Sequence, residues 1–386
     1  MSCPLKQAAF DAPHELAFLS KDLSFSFSEL DRYVDTLKVV DDCLIVKGAP
    51  TLQLIALFFA CFRQNKSIFP INPRLPLDVI KPPHVPPQSL LLFTSGSTAA
   101  PKIAVLSLAN LLANASGAIQ ALDLRPKDQW LLSLPLYHVG GIGILIRCIL
   151  ARATMVLGDS PNITHLSYIP THLYRATPIY KKLRCLLLGG APILTIPDRL
   201  PIYTTYGLTE MGSMVTLNGQ LLPNREVQIA PDGEILVRGP CLFQGYLGEE
   251  SPNKDWFATG DLGRYKKELV ITGRKDWMFI SGGENIQPEE IERELLCLPE
   301  VIEAVVLPKD DAEFGKRPVA VVQARFQFNL KRMQSALVNV LPKYKIPIAL
   351  YLVDEIPKKN NFKIDRFILT QHINNQLNMN TSGQKK

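Results

Sequence analysis

The apolar run Ser89-Leu-Leu-Leu-Phe93 stops abruptly at a stretch of another kind, Thr94-Ser-Gly-Ser-Thr-Ala-Ala-Pro-Lys102. A short apolar run bounded by turn residues predicts a buried strand. The strand would feed a loop of small hydroxyl residues, and helical spacing resumes near Ala109. Further strand-like runs at Trp130–Leu134, Thr154–Leu157, His165–Ile169 and Cys185–Leu188 alternate with helical stretches. That alternation confines the chain to an α/β architecture.

At 386 residues the chain is too long for one compact core, so two or more domains are expected. Near the start, Leu23-Ser-Phe-Ser-Phe-Ser-Glu-Leu30 alternates like a half-buried strand and runs into helical spacing over Glu29–Lys38. A helix over Leu52–Arg63 and a strand over Ser67–Ile71 follow, then a proline-punctuated loop ending Lys81-Pro-Pro-His-Val-Pro-Pro87. From Val227 the texture becomes β-rich, with short strands at Glu234–Arg238 and Leu269–Ile271. Past Gly273-Arg-Lys-Asp276 the chain reads as a smaller α+β unit. A helix is expected over Pro288–Leu298, strands over Val301–Leu307 and Val319–Ala324, and a frayed polar tail after Gln371.

Composition excludes several function classes. The net charge of +6 comes from 42 basic and 36 acidic residues, without a basic run interleaved with aromatics, so nucleic acid is not an expected partner. A mild positive field favours small anions such as nucleotides. The 7 cysteines are scattered without a CxxC pair, which predicts reduced core thiols and no metal or redox motif. The most apolar stretch, Ile142–Leu150, carries Arg147 and is too short to span a bilayer, so no membrane insertion is expected. With no signal-like segment at the N-terminus, a cytoplasmic location is expected.

The loop from Thr94 to Lys102 suits a polyphosphate. Small side chains let the backbone approach closely, hydroxyls and N–H groups donate to oxygens, and Lys102 adds a charge. It is not a Walker A loop, since the Gly-Lys-Ser/Thr spacing is missing. Its wording resembles the phosphate loop of the acyl-adenylate-forming, AMP-binding superfamily, which includes acyl-CoA synthetases, peptide-synthetase adenylation domains and luciferase. Further signatures resemble that superfamily in order: Tyr206-Gly-Leu-Thr-Glu210, Thr259-Gly-Asp-Leu262, Gly273-Arg-Lys-Asp276, Ser281-Gly-Gly-Glu-Asn285 and Pro357-Lys-Lys-Asn-Asn-Phe-Lys363.

The resemblance implies an α/β multi-sheet large N-terminal domain over 1–274, shortened between 76 and 94, and a small mobile α+β C-terminal domain over 275–386. It implies a two-step reaction that uses ATP, Mg²⁺ and coenzyme A. A carboxylate attacks the α-phosphorus and expels pyrophosphate; a thiol then displaces AMP. Anions meet anions in the first step, so charge neutralisation should dominate catalysis. By resemblance, Thr94, Ser95, Gly96, Ser97, Thr98 and Lys102 hold the β- and γ-phosphates, Thr209 donates to the α-phosphate and Glu210 holds Mg²⁺. Thr and Glu also suit the first turn of a helix, and both readings can hold together.

Gly189 and Gly190, with Ala191-Pro192, would admit the adenine ring, on which Tyr206 would stack next to Gly207. Asp261 and Arg274 would bind the ribose. Lys363 would bridge carboxylate and α-phosphate, Asp276 would be the hinge, and Gly282 and Gly283 would line the coenzyme A tunnel.

Within the superfamily the chain resembles the o-succinylbenzoate–CoA ligases of menaquinone synthesis. The stretches that carry this are Asp128-Gln-Trp-Leu-Leu-Ser-Leu-Pro-Leu-Tyr-His138-Val-Gly-Gly141, Tyr168-Ile-Pro-Thr171, Phe279-Ile-Ser-Gly-Gly-Glu-Asn285 and Glu313-Phe-Gly-Lys-Arg-Pro-Val-Ala-Val321. That acid carries a second carboxylate, for which Arg147 is the candidate counter-ion. An arginine snorkelling from a partly buried helix is the plainer reading of Arg147. His138 and Thr171 would line the acid pocket, with His138 as its gate.

Departures from the family pattern are Ala99 and Phe362, each in place of glycine, and the short 76–94 region. Ala at a positive-φ position costs about 1 kcal/mol. Another aryl or acyl-CoA ligase, or a degenerate ligase fold that only binds nucleotide, are the alternatives. A homo-oligomer is left open.

Overall fold

A computed structural model describes residues 3–76, 84–94, 102–169, 180–190, 200–249, 255–358 and 364–373. The chain divides into two units. The first comprises Met1–Gln228, Leu236–Phe257 and Tyr265–Leu269; the second comprises Ile229–Ile235, Ala258–Arg264 and Val270–Lys386.

The first unit is built on two sheets. A seven-stranded sheet runs in the order Ile202–Thr205, Cys185–Gly189, His165–Tyr168, Gln129–Leu131, Thr154–Leu157, Leu16–Ser20, Ser24–Ser26. All its pairings are parallel except the terminal hairpin of Leu16–Ser20 with Ser24–Ser26. Parallel strands are covered on both faces, which is why Cys185-Leu-Leu-Leu188 is apolar throughout and wholly buried. A five-stranded sheet runs Gly245–Tyr246, Ile103–Ser107, Ser89–Phe93, Ser67–Ile71, Cys43–Lys47. Its first two pairings are antiparallel and its last two parallel. The expected strands Ser89–Phe93 and Ser67–Ile71 are therefore neighbours.

Helix starts follow local chemistry. The helix expected from Glu29 begins earlier, at Phe27, because Ser26 and Glu29 form a capping box. The Glu29 N–H donates to the Ser26 hydroxyl, and the Ser26 N–H donates to the Glu29 carboxylate at 2.8 Å. Ser107 and Asn110 cap Leu108–Leu122 in the same way. The helix Leu52–Arg63 is apolar nearly all round, and Leu54–Ala56 and Phe58–Phe62 are buried, which makes it a central helix of the core. Helix Val139–Ala151 is similarly submerged. Among the described residues no helix is long and apolar enough to cross a membrane. The cysteines are free thiols; Cys61, Cys148, Cys185 and Cys241 are buried, whereas Cys297 is exposed.

The second unit carries parts of the strands Glu234–Arg238, Phe257–Tyr265 and Leu269–Arg274, then the hairpin Phe279–Ser281 with Glu284–Ile286. A three-stranded sheet follows. Val301–Asp311 pairs antiparallel with Gly315–Ala324, which pairs in parallel with Leu350–Leu352. Strand alternation sorts its side chains into two cores. Ala304 and Val306 pack with Ile291 and Leu295 of helix Pro288–Leu296, whereas Val305 and Leu307 pack with Ile356, Leu369 and Ile373.

Candidate functional site

The buried strand Ser89–Phe93 delivers Thr94, and Ile103–Ser107 carries the chain away, so the two ends of the Ser/Thr-rich loop sit on adjacent strands. Thr94 and Lys102 close that loop: the Thr94 N–H donates to the Lys102 carbonyl at 2.8 Å. Ser95, Gly96, Ser97, Thr98 and Ala99 lie outside the described residues, as do Thr171, Ala191, Pro192, Phe362 and Lys363.

Thr209, Glu210 and Met211 form a single 3-10 turn closed by Gly212 in the left-handed region, and Leu208 at its N-cap supplies no side-chain cap. This is a shorter element than a helix start. It holds the half-buried Glu210 beside the strand Gly245–Tyr246. The Phe243 N–H donates to the Glu210 carbonyl at 2.7 Å, and the Tyr246 hydroxyl donates to Glu210 Oε1 at 2.7 Å. Lys102 Nζ lies 4.6 Å from the centre of the Tyr246 ring and 2.9 Å from Glu249. A loop cation and a carboxylate from distant parts of the chain thus converge on one tyrosine. Sequence reading missed both Tyr246 and Glu249. The only local signal was an aromatic held between glycines in Gly245-Tyr-Leu-Gly248.

The parallel strands Cys185–Gly189 and Ile202–Thr205 end side by side, with Gly189 paired to Thr205. That brings Gly189 and Gly190 next to the start of Tyr206-Gly207. Gly190 has φ +84°, a conformation that side chains rarely adopt. A Cβ on Gly207 would fall 2.3 Å from the Ser213 carbonyl, so the backbone there tolerates no side chain.

His138 precedes helix Val139–Ala151 and its ring lies 4.4 Å from that of Tyr137. Arg147 does not snorkel: it is 1% exposed in the middle of that helix. Its Nη2 donates to Ser213 at 3.2 Å and its guanidinium lies 5.6 Å from the Trp130 ring. Among the described residues it makes no ion pair, and its Nε has no hydrogen-bond partner. Burial, with Arg225 nearby, pushes its pKa down to about 10, so it remains charged at neutral pH.

In the second unit, Arg274 Nη1 donates to Asp261 at 2.8 Å and to the Thr259 carbonyl at 3.2 Å, while Nη2 donates to Asp276 at 3.0 Å. The Arg274 N–H donates in turn to Glu289 at 3.0 Å. Gly282 and Gly283 form the turn of the hairpin Phe279–Ser281 with Glu284–Ile286, both at positive φ.

Residues 80–247 match the AMP-binding enzyme family and residues 290–363 match the AMP-binding enzyme C-terminal domain. The 2-succinylbenzoate–CoA ligase of Salmonella typhimurium is 37% identical over 318 residues, covering 74% of this chain and 70% of that protein. Its Escherichia coli counterpart is 33% identical over 359 residues, covering 84% and 79%. The solved structure of wild-type E. coli MenE with a bound m-phenylether-linked analogue of OSB-AMS superposes with a TM-score of 0.78 at 27% identity, covering 96% of this chain and 99% of that one.

Proposed function

The chain belongs to the AMP-binding enzyme family, and on that premise we propose that it is an ATP-dependent acid–thiol ligase converting 2-succinylbenzoate to its coenzyme A thioester. In the first step a carboxylate oxygen of the acid attacks the α-phosphorus of ATP. The P–O bond to the β-phosphate breaks and pyrophosphate leaves. In the second step the coenzyme A sulfur attacks the acyl carbon, its proton is lost, and AMP departs. The product belongs to menaquinone biosynthesis, and we assign the activity to the cytoplasm, where ATP and coenzyme A are available.

The observation that carries this reading is the convergence of Lys102 and Glu210 on Tyr246 at the end of a Ser/Thr-rich loop. A triphosphate needs a cation and a carboxylate-held metal at its phosphates. The Glu210 carboxylate fits Mg²⁺, a hard cation that takes one or two carboxylates and completes its shell with phosphate oxygens and water. Bound there, Mg²⁺ would neutralise phosphate charge.

Thr94, Ser95, Gly96, Ser97, Thr98 and Lys102 are proposed to hold the β- and γ-phosphates, and Thr209 the α-phosphate. Gly189, Gly190, Tyr206 and Gly207 are proposed to receive the adenine, and Asp261 with Arg274 the ribose. Lys363 is proposed to stabilise the negative charge that develops during adenylation. His138, Arg147 and Thr171 are assigned to the acid. We propose residues 275–386 as the mobile lid, hinged at Asp276, with Gly282 and Gly283 beside the pantetheine arm.

The test is Mg²⁺-dependent pyrophosphate release with ATP and coenzyme A across 2-succinylbenzoate, benzoate and a medium-chain fatty acid. Release and thioester formation with 2-succinylbenzoate alone are expected. Release with a different acid would keep the chemistry and discard the substrate. ATP binding without release for any acid would replace the proposal with a nucleotide-binding role.

A further inference from the structure

Tyr246 stands at a junction outside the motifs singled out in the sequence. It ends the short strand Gly245–Tyr246, which pairs with Ile103–Ser107, the strand leaving the phosphate loop. Backbone bonds on either side pin it: the Gln244 N–H donates to the Val105 carbonyl and the Leu247 N–H donates to the Ile103 carbonyl, both at 2.8 Å. Its ring packs edge-on against Phe243 at 4.9 Å, and Phe243 packs on Phe257 at 5.2 Å. The phenol is therefore held by strand pairing and by an aromatic stack.

Its polar ends face two different tasks. The hydroxyl donates to Glu210 Oε1 at 2.7 Å, and the ring face lies 4.6 Å from Lys102 Nζ. Lys102 also pairs with Glu249 at 2.9 Å, and both of those side chains are about half exposed, 47% and 50%. A half-exposed ion pair is weak and exchangeable. An arriving polyphosphate can take Lys102 from Glu249, while the ring keeps the ammonium close through a cation–π contact. A carboxylate with one oxygen tied by a hydroxyl has its remaining acceptor sites set in one orientation.

We infer that Tyr246 is a positioning residue for nucleotide activation: its hydroxyl orients the Glu210 carboxylate for the Mg²⁺ of Mg–ATP, and its ring holds Lys102 for the terminal phosphates. This rests on the reading of Glu210 as the Mg²⁺ ligand. Tyr246 touches neither the acid nor the reacting phosphorus in this account, and acts through its two neighbours.

The experiment measures ATP binding by calorimetry as a function of Mg²⁺ concentration for the wild type, Tyr246→Phe, Tyr246→Leu, Glu210→Gln and the Tyr246→Phe/Glu210→Gln double variant. Thermal melting of each checks folding. Tyr246→Phe keeps the ring and is expected to raise the Mg²⁺ concentration for half-maximal enhancement about tenfold, with Mg²⁺-free ATP affinity unchanged. Tyr246→Leu is expected to lose Mg²⁺-free affinity as well, through Lys102. The double variant should be no worse than Glu210→Gln alone. A wild-type Mg²⁺ response in Tyr246→Phe, with Glu210→Gln impaired, overturns the inference and leaves the Glu210 reading standing. A wild-type response in Glu210→Gln overturns both.

Discussion

Arg274 is bound to Asp261 through an Nη1–Oδ1 contact of 2.8 Å, and the same guanidinium reaches Asp276 at 3.0 Å. The carboxylate proposed to bind the ribose and the one proposed as the hinge are thereby oriented by one planar fork. Lysine at this position would keep the charge and lose the fork. Arg274→Lys is expected to raise the KM for ATP about tenfold, with folding retained. Gly260→Ala should act in the same direction, because Gly260 has φ +72° and a Cβ there would lie 3.0 Å from Arg274 Nη2. Steady-state kinetics at saturating acid and coenzyme A decide this; an unchanged KM in both variants would remove the pair from nucleotide binding.

Much of the architecture was legible because buried parallel strands announce themselves locally. Ser89–Phe93 and Cys185–Leu188 are continuous apolar runs, and both lie where the sequence puts them. The charge groups were legible only as words. Thr209-Glu210 read as a helix start, yet Gly212 at φ +67° stops it after one turn. Nothing local says that a tyrosine from Gly245–Tyr246 meets Glu210, because strand pairing with Ile103–Ser107 makes that contact. Arg147 was ambiguous for the same reason. An arginine in an apolar helix can snorkel or be buried, and here Ser213 and Trp130, remote in sequence, enclose it.

Arg147 supplies the next expectation. Its guanidinium is buried without an ion pair among the described residues, so it contributes little to folding for the desolvation it costs. Replacing such a group with an apolar side chain of similar volume is often neutral for stability. Arg147→Met is therefore expected to fold as well as the wild type, with the KM for the dicarboxylate raised tenfold or more and that for ATP within twofold. Equal losses for both substrates, or a large fall in melting temperature, would assign Arg147 to the core instead of the acid pocket.

The second unit contains a largely buried arginine that, unlike Arg147, does have an ion-pair partner. Arg366 Nη2 donates to Glu292 at 2.5 Å and Nη1 to the Val306 carbonyl at 2.8 Å, while Glu292 accepts from the Val306 N–H at 2.7 Å. The Arg366 guanidinium also lies 4.2 Å from the centre of the Trp277 ring. Burial pushes the Glu292 carboxyl up, against the pull of Arg366. Arg366→Met strands that carboxylate and is expected to cost about 3 kcal/mol in urea unfolding of this unit. Adding Glu292→Leu should recover most of the loss. A double variant no better than the single would mean that packing on Trp277, not the charge, is what Arg366 provides.

His165 makes folding of the first unit sensitive to acid. Its ring is fully buried, with Nδ1 2.9 Å from the Thr164 hydroxyl and the Trp130 ring 5.1 Å away. Burial pushes its pKa down to about 4, against the attraction of Asp128 and Asp123 and with Arg184 adding repulsion. The unfolded chain has an ordinary histidine near 6.5. Between those values the unfolded state binds the proton and the folded state does not, so stability is full above about pH 6.5 and falls as pH drops towards 4. Integrating over pH 7 to 5.5 gives about 1 kcal/mol of lost stability from this one group. His165→Leu cannot take up the proton, and its urea-derived stability should fall less over that range by the same amount, even if Leu is less stable at pH 7. Parallel pH profiles for the two proteins would show that the histidine titrates alike folded and unfolded, and that the attraction of Asp128 and Asp123 offsets burial.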